Sequence, residues 1–150
     1  MKRTIDALGD NWMVRTSNDG VSAHNGMKLS PVGVWQQAPD WNPESVCGGG
    51  FHGQSPNGAG YWHDGTRFDF VATCGGRVTV DGNKTKVEWM CLLWSGPEAY
   101  LALSYACKGR WRGSLQIMCE VSLGLKEIGG PLDVSADCEF PALTSVGGPL

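Results

Sequence analysis

Along most of this chain, apolar and polar residues alternate over short runs bounded by glycine, proline or Asn/Asp-Gly turns, a pattern of strands rather than of long helices. Trp12-Met13-Val14-Arg15-Thr16 reads as a strand, with Asn18-Asp19-Gly20 as the turn behind it. Val32-Gly33-Val34-Trp35 reads as a second short strand. The two prolines of Ala38-Pro39-Asp40-Trp41-Asn42-Pro43 forbid a helix and predict an extended, rigid loop. The glycine-dense stretch from Cys47 to Gly60 predicts a long loop or a backbone that passes close to something. Alternation returns over Arg67–Ala72 and Arg77–Val80, and after Asp81-Gly82-Asn83 the run Lys84–Trp94 completes a hairpin. In that last run Lys84, Lys86 and Glu88 fall on one face and Thr85, Val87 and Trp89 on the other. Its end is apolar throughout, as for a strand covered on both sides. Pro97–Cys107 is the one helix expected, with Ser95 as N-cap, Pro97 and Glu98 in the first turn and Gly109 as terminator.

The last quarter of the chain repeats. Leu125-Lys126-Glu127-Ile128-Gly129-Gly130-Pro131-Leu132 returns, 18 residues on, as Leu143-Thr144-Ser145-Val146-Gly147-Gly148-Pro149-Leu150. Gly113-Ser114-Leu115-Gln116-Ile117 returns 17 residues on as Gly130-Pro131-Leu132-Asp133-Val134. A short fixed period implies stacked units, each with a Leu-x-Val/Ile strand, a second apolar pair and a Gly-Gly corner. The expected fold is therefore mainly β, a β-rich α+β arrangement. A small antiparallel β head domain with one short helix spans residues 1–110, and residues 111–150 form a leucine-rich-repeat-like β-solenoid stub.

The 22 glycines and 8 prolines agree with a turn-rich chain. A formal charge of −3 gives no electrostatic basis for nucleic-acid binding, and the three basic residues between Lys108 and Arg112 are too few to track a phosphate backbone. No apolar run reaches the length of a membrane span, and no hydrophobic stretch follows the basic N-terminus, so no membrane partner is expected and the cytoplasm is the expected compartment. There the six cysteines, none in a Cys-x-x-Cys pair, read as free thiols.

Reactive residue types concentrate in Cys47-Gly48-Gly49-Gly50-Phe51-His52-Gly53. Cys47, His52, His63 and Cys74 are the ligand types of a tetrahedral zinc site, at spacings unlike those of a zinc finger. Cys47 with His52 is a candidate nucleophile and base, to be oriented by Asp40, Asp64 or Asp69. Phe51-His52-Gly53 is similar to the strand that opens the nicotinamide pocket of ADP-ribosyltransferases, which would make His52 the centre of a nucleotide or ADP-ribose pocket. The glutamate such an enzyme requires is not assignable among Glu88, Glu98, Glu120, Glu127 and Glu139. The bland alternative is a tight backbone crossing with His52 hydrogen-bonded inside it. Trp35, Trp41 and Trp62 lie in loops and, with Phe51 and His52, either close a small core or form a binding platform. Trp89 and Trp94 read as core.

Ala38-Pro39-Asp40-Trp41-Asn42-Pro43 followed by Cys47-Gly48-Gly49-Gly50-Phe51-His52-Gly53 resembles an uncharacterised domain of bacteriophage and prophage proteins, from about Val14 to about Tyr100. Pro141-Ala142-Leu143-Thr144-Ser145-Val146-Gly147-Gly148 resembles leucine-rich-like repeats that follow such domains. The resemblance implies a phage or mobile-element origin, and with the residue-level reading the expectation is a non-enzymatic interaction module without a cofactor. Its partner would be a host or virion protein, bound through the repeat face or the Trp-rich loops, or a second copy joined at the C-terminal repeat edge.

Overall fold

The computed structural model describes residues 1–22, 26–55, 60–62, 67–81, 84–118, 120–135 and 137–147. In chain order the first elements are α1 (Lys2–Leu8), β1 (Trp12–Ser17), β2 (Trp35–Gln37), β3 (Phe51–Gly53), β4 (Gly60–Trp62), β5 (Arg67–Val80), β6 (Lys84–Ser95) and α2 (Pro97–Ala106). Seven short strands follow: β7 (Arg110–Trp111), β8 (Leu115–Ile117), β9 (Val121–Ser122), β10 (Glu127–Ile128), β11 (Leu132–Val134), β12 (Cys138–Glu139) and β13 (Ser145–Val146). The protein is thus β-rich around an antiparallel sheet.

The long β5–β6 hairpin carries that sheet, in the order β1-β5-β6-β2, with β3 pairing β6 beside β2. One bridge links the end of β3 back to β1, where Val14 and Gln54 exchange N–H···O bonds of 2.9 and 2.8 Å. The two runs expected over 67–72 and 77–80 are one strand, interrupted by a shift of register between Cys74 and Arg77. Gly75, at φ +74°, stands in that irregularity, so a sequence that breaks the alternation only bulges the ladder.

Two apolar clusters flank the sheet. Phe68 and Phe70 of β5 join Trp12, Val14 and the α2 residues Ala99, Ala102 and Leu103 on one side. Met13, Phe51, Val71, Val87, Met90 and Leu92 gather on the other. Between Phe68 and Phe70, Asp69 is fully buried and accepts from Ser17 Oγ (2.8 Å), Ser95 Oγ (2.6 Å) and Arg67 Nε (2.7 Å). Arg15 faces Asp69 across the ladder; burial lowers its pKa and the nearby carboxylate partly restores it. Because Ser95 gives its hydroxyl to Asp69, it does not cap α2. Gly96 holds the N-cap position instead, at φ +60°.

The sequence predicts one helix, and the described residues form two. α1 has no side-chain cap, and tertiary contacts hold it: Ile5 is buried, Tyr105 Oη donates to Asp6 at 3.1 Å, and Lys2 Nζ lies 5.4 Å from the Tyr105 ring centre. A seven-residue helix is too short to persist without such contacts.

Beyond α2 the pairing becomes parallel and links residues 17 or 18 apart. Glu127 and Ile128 of β10 pair with Arg110 and Trp111 of β7, then with Ser145 and Val146 of β13. β11 pairs with β8, and β12 with β9. An earlier segment supplies one strand to this stack, since β4 adds in parallel to the other side of β8. Trp62 of β4 is fully buried at the joint, edge-on to Phe68 (5.1 Å) and Trp111 (5.5 Å). A single apolar cluster therefore runs from the sheet through α2 to Leu115, Ile117, Val121, Leu123 and Leu125.

Candidate functional site

The glycine-rich motif folds into a clasp around one lysine. Lys86 is fully buried, although strand alternation assigns it to a polar face. Its Nζ donates to the carbonyls of Glu44 (2.5 Å), Val46 (3.1 Å) and Gly48 (3.1 Å) and lies 5.7 Å from the Trp41 ring centre. The ammonium thereby spends its three protons on the loop that carries the motif. Close approach explains the glycines. A Cβ on Gly50 would sit 2.7 Å from Lys86 Cγ and 3.1 Å from the Trp41 ring, and one on Gly76 would strike the same ring. The loop is pinned further where Asn42 N–H donates to Gly49 O (2.8 Å) and Glu44 N–H to Asn42 Oδ1 (2.8 Å). The motif has the geometry of a tight crossing, and its chemistry is that of a solvated loop locked to a strand by a buried cation.

The residues singled out in the sequence meet different fates. Phe51 is in the second core cluster and 1% exposed, paired with Val87. His52 is half-buried in β3, with its Nε2 buried, and faces Lys86 in the ladder. Cys47 is exposed on the clasp loop, an element apart from His52. Cys74 is exposed at the bulge; partial burial, and then the Glu88 carboxylate, push its thiol up, away from the thiolate that nucleophilic or metal chemistry needs. Glu88 is itself engaged, accepting from Gly76 N–H (3.0 Å) and Gln37 Nε2 (3.1 Å). His63 lies outside the described residues, and among the described residues no three His, Cys, Asp or Glu side chains converge as metal ligands would. Trp41 is half-buried against the second cluster, and Trp62 is in a strand rather than a loop. Trp35 alone of the three is open, at 45% exposure on the edge strand β2.

A second surface lies on the later repeats of the parallel stack, and single-residue chemistry does not signal it. Trp111, Leu115, Ile117, Leu123 and Leu125 are all within 1% of complete burial, covered by α2, β4 and the strands above them. Of their counterparts one repeat later, Ile128 is also sealed, at 1% exposure, and the others are Leu132, Val134, Phe140 and Leu143. Leu132, Phe140 and Leu143 are only half-buried, and Val134 is 38% exposed. On the β7–β10–β13 side a shallow groove of about 400 Å³ is lined by Arg110, Arg112, Glu127, Ile128 and Val146, among others. Arg110 and Glu127 form an ion pair across neighbouring strands, and Gln116 Nε2 donates to Asp133 Oδ2 at 3.3 Å in the same sense. Such exposed pairs contribute little stability and mainly set which side chains stack favourably. Compared with known protein families, curated proteins and solved structures, the chain has no match in any of the three.

Proposed function

We propose that this protein is a non-enzymatic interaction module of a phage or mobile element, and that it binds a host or virion protein through the face of its parallel-strand repeats. In this reading α2 and β4 cover one side of a solenoid-like segment, and the face of its later repeats carries the partner. The carrying observation is a gradient of burial between repeats: Leu115, Ile117, Leu123 and Leu125 are sealed, whereas Leu132, Phe140 and Leu143 are half-buried and Val134 is 38% exposed, although Ile128 over Trp111 stays sealed. Partly open apolar positions that recur in register suit protein docking better than they suit a small substrate. The burial of Phe51 and Trp62, and the packing of Trp41 on Lys86, favour this surface over the tryptophan loops.

The test is site-specific photo-cross-linking in the cells that make the protein. A photoreactive residue at Val134, on the later repeat, is expected to trap one discrete protein. The same residue at Leu101, which is 65% exposed on α2, is expected to trap none. Equal yields at the two positions, or no adduct at 134, refute the proposal. His52→Ala is expected to leave the adduct in place, whereas an activity centred on His52 predicts a loss of function with the cross-link intact.

A further inference from the structure

The direction in which the peptide groups of β2 face follows from the ladder beside it. Thr73 N–H donates to Asn11 O, so Thr73 turns towards β1 and its neighbours Ala72 and Cys74 turn towards β6. Their partners Cys91 and Trp89 therefore turn back to β5, which leaves Met90 and Glu88 facing β2. Ala38 N–H donates to Glu88 O (2.8 Å) and Gly33 N–H to Leu92 O (2.9 Å), as this alternation requires. Gln36, opposite Met90, thus points its N–H and C=O into the sheet, and Trp35 and Gln37 point theirs out of it. Among the described residues β2 is the last strand on that side, and no backbone group meets those of Trp35 and Gln37. Free edges are commonly guarded by charge or proline. β2 carries neither, residues 29–39 hold no charge, and Val32 and Val34 join Trp35 among the exposed apolar side chains.

The two faces of this edge differ. Trp35 lies opposite Cys91, which lies opposite Ala72 and, beyond it, Trp12, so Trp35 and Gln37 share the face of the first apolar cluster. Gln36 lies opposite Met90, on the face of the second. There its Oε1 accepts from Ser30 N–H (3.0 Å) and its Nε2 donates to Lys28 O (3.3 Å), which seats the exposed Lys28 beside it. One face of the edge offers an indole ring, and the other offers a cation.

We infer that β2 receives an extended segment of another polypeptide, paired antiparallel, with a carboxylate residue opposite Gln36 and apolar residues opposite Trp35 and Gln37. Each of the two residues opposite Trp35 and Gln37 would exchange a pair of hydrogen bonds with the edge, and their side chains would lie against the Trp35 ring. The residue opposite Gln36 projects to the other face, where its carboxylate meets Lys28. A second copy of this chain, paired in the register that makes the same bonds, would lay Gln36 on Gln36 and bring Lys28 towards Lys28. Like charges then approach, so a second copy is the poorer occupant. This surface is separate from the repeat face and does not rest on the docking function proposed there.

The test pans a random library of nine-residue peptides against the immobilised full chain and measures the enriched peptides by fluorescence anisotropy. They are expected to carry Asp or Glu flanked on both sides by apolar residues, and to protect the Trp35 and Gln37 amides from hydrogen exchange. Gln37→Pro removes an outward N–H and none that the ladder uses, so binding is expected to weaken about tenfold or more. Gln37→Ala keeps the amide and loses the same side-chain bond to Glu88, and is expected to bind as the parent does. Lys28→Glu is expected to weaken acidic peptides about threefold or more at low salt and to favour their Lys-for-Glu counterparts. It changes only an exposed side chain, so it decides the matter if Gln37→Pro does not fold. No enrichment, equal binding to Gln37→Pro and Gln37→Ala, or indifference to Lys28→Glu overturns the inference. So does a concentration-dependent dimer of the peptide-free protein that Gln37→Pro abolishes, which would make a second copy the occupant.

Discussion

Replacing Lys86 by methionine keeps most of the buried stem and removes the cation at the centre of the clasp. The wild-type ammonium makes three hydrogen bonds to carbonyls, each worth about 1.5–3 kcal/mol net for a charged donor. The Trp41 face adds about 1 kcal/mol. Against this total, Lys86→Met relieves the desolvation of a completely buried ammonium, which costs several kcal/mol. The freed carbonyls of Glu44, Val46 and Gly48 belong to exposed residues and can recover water. The balance is a loss of about 2–4 kcal/mol, concentrated in residues 44–50 and not spread over the sheet. Urea unfolding gives the total, and hydrogen exchange gives its location. A change of stability under about 0.5 kcal/mol, with unchanged exchange across 44–50, would refute the view that this lysine holds the motif together.

Two further predictions concern the joint and the thiols. Trp62→Ala removes the side chain that meets both Phe68 and Trp111, so about 3–5 kcal/mol is expected to be lost in chemical denaturation; a loss below about 1 kcal/mol would mean that Trp62 does not couple the sheet to the stack. Burial pushes the Cys107 thiol up from an ordinary value near 9 to about 11. The folded state therefore favours the neutral thiol. Its stability contribution is complete below pH 9 and declines as pH rises from there through about 11, by at most about 2–3 kcal/mol. Unfolding free energies between pH 8 and 11 should show this decline, and it should be shallower in Cys107→Ala; equal slopes in the two proteins would contradict the assigned cause. Cys91 and Cys138 are shifted in the same direction, so some slope remains in the variant.

Local pattern alone was enough to read the strand Trp12–Thr16, the hairpin through 67–94 and the helix after Gly96, because in each the periodicity or the turn chemistry is written in adjacent residues. The close-crossing reading of Cys47–Gly53 was equally legible, since a run of glycines has few other structural uses. What the glycines approach was not. Lys86 lies about forty positions away on a strand whose alternation marks it as solvated, and its burial follows from three carbonyls that only the folded loop brings together. The Asp69 site was hidden for the same reason. Ser17, Arg67 and Ser95 converge on it through strand pairing, and that convergence takes from Ser95 the capping role its position suggests.

The sequence by itself determined that this protein would be β-rich, turn-dense and without a long helix, because hydrophobic alternation and glycine and proline placement act over a few residues. The tertiary structure alone decided which tryptophans are sealed and which is open, that α1 forms, and that α2 and β4 cover one side of the parallel stack. Those outcomes depend on burial between segments far apart in the chain. A residue's exposure depends on what packs against it, and the local pattern around it does not carry that information.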